Sequence, residues 1–199
     1  MNQIGNNFEN LFPMGKLSLI VGMPNRGKTD LLLRLLRDRA NNKDGVLLFS
    51  LELASVQISK RLLLDKAGIT LNLFDIEKVT EQQTRKISQA ATELQGAPVW
   101  IEDTIGMNID YLCSKTIEMQ RDYAITCVFV GCLGLVQLAT PTIKKSNDIY
   151  LVIDRLKELS KKIRFRNYCY VYIINVSTFL IAEWSYRPVS YTHLTLPTT

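Results

Sequence analysis

Eight consecutive residues near the N-terminus have the types and the spacing needed to bind a phosphate chain. They fit the pattern G-x-x-x-x-G-K-[ST] in full and are Gly22, Met23, Pro24, Asn25, Arg26, Gly27, Lys28 and Thr29. The glycines let the backbone turn its N–H groups toward a β-phosphate, and the N-terminus of a following helix adds partial positive charge. In this pattern the lysine contacts the β- and γ-phosphates, and the threonine hydroxyl binds Mg²⁺. The pattern therefore predicts a site for a nucleoside triphosphate with Mg²⁺.

The loop is flanked by the two elements that this pattern requires. Residues 17–21 are apolar or β-branched, as in a short strand, and residues 30–37 repeat leucine at helical spacing. A strand, a glycine loop and a helix start in this order favour a phosphate-binding loop over a chance glycine-rich turn. We expect the loop to lie at the carboxyl end of its strand, where ligands bind in α/β sheets.

Strand-like and helix-like segments alternate along the rest of the chain. Further strands are predicted at 46–49, 99–101, 126–130 and 170–174. The predicted helices are 55–68 with Ser55 as its N-cap, 80–96 with a Thr80–Gln83 capping box, one that follows Asn108, and an apolar stripe over 149–163. This alternation predicts an α/β fold with a mostly parallel sheet and helices on both faces.

A second candidate for chemistry follows the second predicted strand. Glu52 lies in the segment Phe-Ser-Leu-Glu-Leu at positions 49–53, where the strand gives way to a helix. A carboxylate at the end of a neighbouring strand could orient and deprotonate a water molecule that attacks the γ-phosphate. On position alone, a solvated glutamate in a strand–helix loop is the simpler interpretation.

The sequence of several segments, taken in order, resembles the ATPase domain of DnaB-type replicative DNA helicases. The Phe-Ser-Leu-Glu-Leu segment is the most specific of them, and the phosphate loop alone would fit many NTPases. The others are Ile-Glu-Asp-Thr at 101–104, Leu-Phe-Pro-Met-Gly-Lys-Leu at 11–17, and Leu-Lys-Glu-Leu-Ser-Lys-Lys at 156–162. The similarity covers about positions 5–188.

This resemblance implies a RecA-like P-loop NTPase fold and a cytoplasmic ATP-dependent helicase of DNA replication. ATP and Mg²⁺ would be its cofactors, single-stranded DNA its partner, and a homohexamer its assembly. By resemblance, Lys28 and Glu52 are catalytic. Asn175 falls at the family's glutamine that senses the γ-phosphate, so it is the third expected catalytic residue.

One position departs from the family pattern where the metal is held. The family's Walker B strand ends in an aspartate that binds Mg²⁺, and this chain has Gly131 there. Glycine supplies no carboxylate, so hydrolysis is expected to be slow or absent. Thr29 is the predicted remaining ligand. Asp103, or its neighbour Glu102, could compensate from an adjacent strand end, although both could equally be ordinary strand-terminal charges.

Contact with DNA is predicted at Lys144 and Lys145, where the family places a loop facing single-stranded DNA. A basic cluster follows on the last predicted helix, although such a face is more often simply solvated. Two alternatives to the helicase remain open. They are another RecA-like ATPase, such as a recombinase, and a nucleotide-binding remnant that no longer hydrolyses ATP.

Composition sets the outer limits of these hypotheses. The 199 residues are 47% hydrophobic and 22% charged, as in a globular protein, and the net charge of +5 mildly favours an anionic partner. No apolar run is long enough to cross a membrane. The four cysteines have no C-x-x-C spacing and are expected to be buried thiols.

The end of the chain differs from the rest. We expect residues 1–188 to form an ATPase core that is incomplete at its C-terminal end. Residues 189–199 are uncharged, resemble no part of the family, and are expected to be a non-native, disordered tail. The incomplete core is expected to leave a sheet edge near residues 170–174 poorly covered.

Overall fold

The chain folds around one parallel sheet, seen in a computed structural model that describes residues 16–22, 26–69, 79–140, 145–162, 169–175 and 193–195. The strands are β1 (Lys16–Gly22), β2 (Val46–Ser50), β3 (Val99–Glu102), β4 (Cys127–Gly131), β5 (Cys169–Asn175) and β6 (His193–Thr195). They form a six-stranded sheet in the order β3-β2-β4-β5-β1-β6, and every ladder is parallel. The predicted strands 17–21, 46–49, 99–101, 126–130 and 170–174 are confirmed to within one residue at each end.

Helices cover both faces of the sheet. They are α1 (Lys28–Asn41), α2 (Ser55–Lys66), α3 (Glu81–Gln95), α4 (Ile109–Tyr123) and α5 (Lys145–Lys162), with a 3₁₀ turn at Leu133–Leu135. One buried cluster joins the sheet to α1 and α2, and a second joins it to α4 and α5. The predicted α/β architecture with helices on both faces is therefore confirmed. No helix in the described part of the chain is both long enough and apolar enough to cross a bilayer.

The central strands are apolar along their whole length because both of their faces are buried. In β2, Leu47 and Phe49 contribute to the cluster under α4 and α5, whereas Val46 and Leu48 contribute to the cluster under α1 and α2. Strands covered on both sides lose the alternation of polar and apolar residues that marks a half-exposed sheet. The strand β2 is therefore firmly fixed, and the residues that follow it start from a rigid base.

The predicted helix starts at Ser55, near Thr80 and after Asn108 are confirmed, and Thr80 and Asn108 are N-caps. Thr80 accepts a hydrogen bond from the Gln83 N–H at 3.3 Å, and the Gln83 side chain accepts one from the Thr80 N–H at 2.9 Å. The Asn108 side chain accepts from the Tyr111 N–H at 2.8 Å. Ser55 is not an N-cap, since it is the first residue of α2 and the N-cap is Ala54. The reason is that an acceptor from another strand, described below, replaces the local cap.

Two expectations about the sheet edges were wrong. Strand β5 lies between β4 and β1, so residues 170–174 are not an edge. Residues 189–199 were expected to have no fixed packing, but His193–Thr195 pairs with Leu19, Ile20 and Val21 of β1. Without β6, β1 would present a row of unpaired backbone groups, and a short extended segment can satisfy them with few side-chain requirements. The assignment of 189–199 as non-native stays a prediction.

Candidate nucleotide-binding site

The phosphate-loop motif lies between the end of β1 and the start of α1. Gly27 is the N-cap of α1 and has φ 74° and ψ 14°, a left-handed conformation that glycine adopts at little cost. Its carbonyl accepts the first helical hydrogen bond, from the Leu31 N–H at 2.9 Å. Arg26 is exposed beside it. Three residues of the predicted site, Met23, Pro24 and Asn25, lie outside the described residues.

Lys28, the motif lysine, is buried across the end of β1. Only 5% of the residue is exposed, and its stem passes over Gly22. A Cβ atom built on Gly22 would lie 3.4 Å from the Lys28 Cδ and 3.6 Å from its Cγ. Burial lowers the pKa of Lys28, while Cys132 and Glu52 act in the opposite direction. A bound phosphate would stabilise the charged form that burial disfavours, so the environment of Lys28 fits an anionic ligand.

Thr29 and Glu52, both predicted site residues, line the same cleft. Its polar lining comes from Thr29, Ser50, Glu52 and the Gly131 backbone. Leu32, Leu48, Leu53 and Ile58 form its apolar part. Glu52 is exposed, and its charge acts on the buried ammonium group of Lys28. The structure therefore brings together the predicted phosphate-binding, metal-binding and base residues at the carboxyl end of the sheet.

The backbone around Glu52 is held in place by the neighbouring strand ends. The Leu51 N–H donates to the Gly131 carbonyl at 2.7 Å, and the Ser50 hydroxyl donates to the Leu53 carbonyl at 2.6 Å. The residues that donate these two hydrogen bonds, Leu51 and Ser50, lie within two residues of Glu52 in the sequence. The carboxylate thus projects from a fixed turn and not from a long loop.

Gly131 lies where the resemblance places the metal-binding aspartate. It ends β4, with Ser50 of β2 and Ile173 of β5 as its register partners, and it lines the cleft. Across the described ranges, no group of three or more His, Cys, Asp and Glu residues could hold a metal ion. Of the predicted Mg²⁺ ligands, Thr29 remains at the site, and phosphates and water would have to supply the other oxygens.

Asp103, the second predicted Mg²⁺ ligand, does not lie in the cleft. It follows β3, an edge strand separated from β4 by β2. Its Oδ2 accepts a hydrogen bond from the Ser55 N–H at 2.6 Å, and this bond is the largest cause of a lowered pKa of Asp103. Glu102 accepts from the Thr104 N–H at 3.3 Å. The geometry therefore argues against either carboxylate as a metal ligand.

The remaining predicted residues are placed by their backbone. Asn175 ends β5 directly beside Gly22, in register with it. This position brings the third expected catalytic residue to the start of the phosphate loop. Lys145 begins α5, and Lys144 lies outside the described residues.

Sequence reasoning missed two features of the site. Cys132, only 4% exposed, lies close enough to Lys28 to act on its pKa. Its position just after β4 could have revealed it, because the carboxyl ends of parallel strands meet at one edge. The contact between Asp103 and Ser55 spans 48 residues and leaves no local signal in the sequence.

Comparisons with known proteins identify relatives of this chain. A replicative DNA helicase DnaB from Rickettsia bellii is 25% identical over 163 residues, which are 76% of this chain and 33% of that protein. The replicative DNA helicase DnaC of Bacillus subtilis is 24% identical over 127 residues, which are 63% of this chain and 28% of that protein. The chain thus spans about a third or less of the length of these relatives.

A solved structure shows the same fold. It comes from work on a DnaB-like replicative helicase and its interactions with primase, and it superposes with a TM-score of 0.76 at 23% identity. The superposition covers 90% of this chain and 44% of the other. A family model described as the DnaB-like helicase C-terminal domain matches residues 6–169. This chain belongs to the DnaB-like helicase C-terminal domain family.

Proposed function

We propose that this chain is the nucleotide-binding motor domain of a replicative DNA helicase and that it binds ATP with Mg²⁺ at residues 22–29. The observation that carries the proposal is the convergence of Lys28, Thr29 and Glu52 at one end of the sheet, in a chain of this family. In the whole protein, ATP hydrolysis would move a ring of subunits along single-stranded DNA.

Each of these site residues has a distinct role in the proposed binding and hydrolysis of ATP. Lys28 donates hydrogen bonds to the β- and γ-phosphate oxygens, and the first N–H groups of α1 face the same phosphates. The Thr29 hydroxyl binds Mg²⁺, which supplies neutralisation of charge on the phosphates. Glu52 orients a water molecule toward the γ-phosphate and accepts its proton. Asn175, beside Gly22 in the sheet, contacts the γ-phosphate.

Gly131 separates binding of ATP from its hydrolysis. Mg²⁺ in phosphate-transfer sites is usually held by one or two carboxylates in addition to the phosphates. With glycine at 131, the protein provides only Thr29 from the predicted metal set, so we propose slow hydrolysis with retained binding. This residue also favours the second candidate function, a nucleotide-binding module that does not hydrolyse ATP. The family match favours the helicase over a recombinase.

Contact with single-stranded DNA and assembly into a hexamer complete the proposal. Lys145 begins α5, and we propose that its ammonium group and that of the preceding Lys144 neutralise DNA phosphates. Binding of this kind depends strongly on salt and tolerates any sequence, as a translocating motor requires. The site of action would be the cytoplasm.

The decisive experiment measures ATP turnover, with and without single-stranded DNA, for this chain and for Gly131→Asp. Gly131 is not among the described glycines with positive φ, which are Gly27, Gly68 and Gly106, so its φ does not oppose a side chain. We expect Gly131→Asp to increase turnover while the affinity for ATP changes little.

Gly134→Asp is the matched control, because it adds a carboxylate on the exposed 3₁₀ turn three residues away. Equal turnover of the two variants and the unsubstituted chain would contradict the metal-binding role of position 131. Turnover of about one per second by the unsubstituted chain, close to the range of active kinases, would contradict the proposed defect.

A further inference from the structure

We propose that Asp103 is a positioning residue for Glu52, acting through the N-terminus of α2. The proposal rests on the function proposed above, in which Glu52 activates the attacking water. Asp103 touches neither the cleft nor the expected phosphates. Its effect would be carried by the turn that connects β2 to α2.

The turn that carries Glu52 is attached to the sheet on both sides. On the β4 side, the Leu51 N–H donates to the Gly131 carbonyl at 2.7 Å. On the β3 side, the Ser55 N–H donates to the Asp103 carboxylate at 2.6 Å. Glu52 lies between these attachments, one residue after the first and three before the second. Movement of either end would move the carboxylate relative to Thr29.

Asp103 supplies a hydrogen-bond acceptor at the start of α2 that the N-cap residue does not provide. The N-cap of α2 is Ala54, whose side chain has no oxygen to accept from the first N–H groups of the helix. Gln57 accepts only from the Ala54 N–H, at 3.3 Å. Uncapped N–H groups at a helix start favour fraying of the first turn. The carboxylate from β3 therefore fixes the point where α2 begins.

The charge of Asp103 suits this position. The pKa of Asp103 is lowered, first by the bond from the Ser55 backbone and then by a bond from the Ser55 side chain. An anion at a helix N-terminus also interacts favourably with the helix dipole. A neutral side chain that still accepts a hydrogen bond would keep part of the attachment, whereas a methyl group would remove it.

Removal of the donor offers an independent test of the same contact. Ser55→Pro deletes the N–H and the hydroxyl together, but proline is well tolerated at the first position of a helix. The preceding Ala54 already has φ −64° and ψ 148°, the extended conformation that a residue before proline requires. The substitution therefore breaks the bond to Asp103 without opposing the helix.

The experiment compares Asp103→Ala, Asp103→Asn, Ser55→Pro and the double variant Asp103→Ala/Ser55→Pro in single-turnover ATP hydrolysis. Asp154→Ala, which removes an exposed carboxylate on α5, is the control. We expect Asp103→Ala and Ser55→Pro each to lower the hydrolysis rate about 10- to 100-fold, as small misplacements of catalytic groups do. In both single variants the affinity for a fluorescent ATP analogue should stay within about twofold. Asp103→Asn should recover most of the hydrolysis rate. The double variant should be no slower than the slower single variant.

Amide hydrogen exchange over residues 51–56 provides a second readout, which does not depend on turnover. Faster exchange there in both single variants, with unchanged exchange in α4 and β4, supports the proposal. Unchanged rates and unchanged exchange would overturn it, and so would equal losses in Asp154→Ala. If the unsubstituted chain binds ATP but shows no hydrolysis, the hydrolytic part of the proposed function fails, and the exchange data alone decide whether Asp103 holds the turn.

Discussion

Replacement of Lys28 by methionine is expected to weaken ATP binding without weakening the nucleotide-free fold. Methionine keeps an unbranched stem over Gly22 but removes the buried ammonium group. Burial lowers the pKa of Lys28 below its ordinary value of 10.5. Between the folded-state pKa and 10.5 the unfolded chain binds more protons, so the stability of the unsubstituted protein rises as pH rises through this window. At neutral pH the charged form is present, and removing it should leave the free energy of unfolding equal or higher.

The loss of affinity follows from the bonds that Lys28 is positioned to make. Hydrogen bonds to charged groups contribute about 1.5–3 kcal/mol each, so contacts to a β- and a γ-phosphate oxygen contribute about 3–6 kcal/mol. Since about 1.4 kcal/mol corresponds to a factor of ten, the dissociation constant should rise about 10²- to 10⁴-fold.

Thermal unfolding with and without ATP measures both quantities at once. At a ligand concentration of 100 Kd, binding stabilises the native state by about 2.7 kcal/mol. For a domain of this size each kcal/mol raises the Tm by about 2–4 °C, so ATP should raise the Tm of the unsubstituted chain by about 5–11 °C. At the same ATP concentration Lys28→Met should show a rise of at most about 1–2 °C. Lys60→Met, on the exposed side of α2, removes the same charge elsewhere and should behave as the unsubstituted chain does.

Two results would refute this reasoning. Unchanged affinity of Lys28→Met for a fluorescent ATP analogue would mean that the nucleotide does not use the loop. A nucleotide-free Tm several degrees below that of the unsubstituted chain would mean that the ammonium group stabilises the fold, contrary to the direction of its pKa shift.

Two further predictions test the base and the fold. Glu52→Gln should bind ATP normally but release phosphate about 10²- to 10⁴-fold more slowly, because an amide cannot accept the proton of the attacking water; unchanged phosphate release would exclude Glu52 as the base. Gly45→Ala should lower the free energy of unfolding in urea by about 1–3 kcal/mol, because the new Cβ would lie 2.9 Å from the Ile125 Cα. Gly96→Ala, where nothing lies within 4 Å of the new Cβ, should change it by less than about 0.5 kcal/mol.

Local patterns predicted those parts of the fold whose causes are local. Strands β2 and β4 were predictable because both of their faces are buried and their residues are almost continuously apolar. The starts of α3 and α4 were predictable because Thr80 and Asn108 each cap the helix that directly follows. The meeting of Glu52 with the phosphate loop was predictable as well, because parallel strands bring their carboxyl ends to one edge.

Features that depend on partners far apart in the sequence were not predictable. The N-cap of α2 was placed one residue late, at Ser55 instead of Ala54, because the acceptor at the helix start is Asp103, which follows β3 and is far from α2 in the sequence. Asp103 was assigned to the metal because its place at a strand end suggested the cleft. Nothing local in the sequence indicates its contact with Ser55. Strand β6 was missed because three residues that pair through their backbone leave no hydrophobic period.

The residue that ends β4 could serve the site through its backbone carbonyl and through its side chain, and only the side chain is missing. The Gly131 carbonyl accepts the hydrogen bond that fixes Leu51, and hence the turn that carries Glu52. This contact uses the backbone, so it does not depend on the side chain at position 131. The side chain would have held the metal, and glycine has none. Because the burial of Lys28 and the start of α1 also do not depend on this side chain, the phosphate site is expected to persist while metal-assisted hydrolysis is slowed. We therefore expect the chain to bind ATP firmly and to hydrolyse it slowly. One added carboxylate, in Gly131→Asp, should increase its turnover.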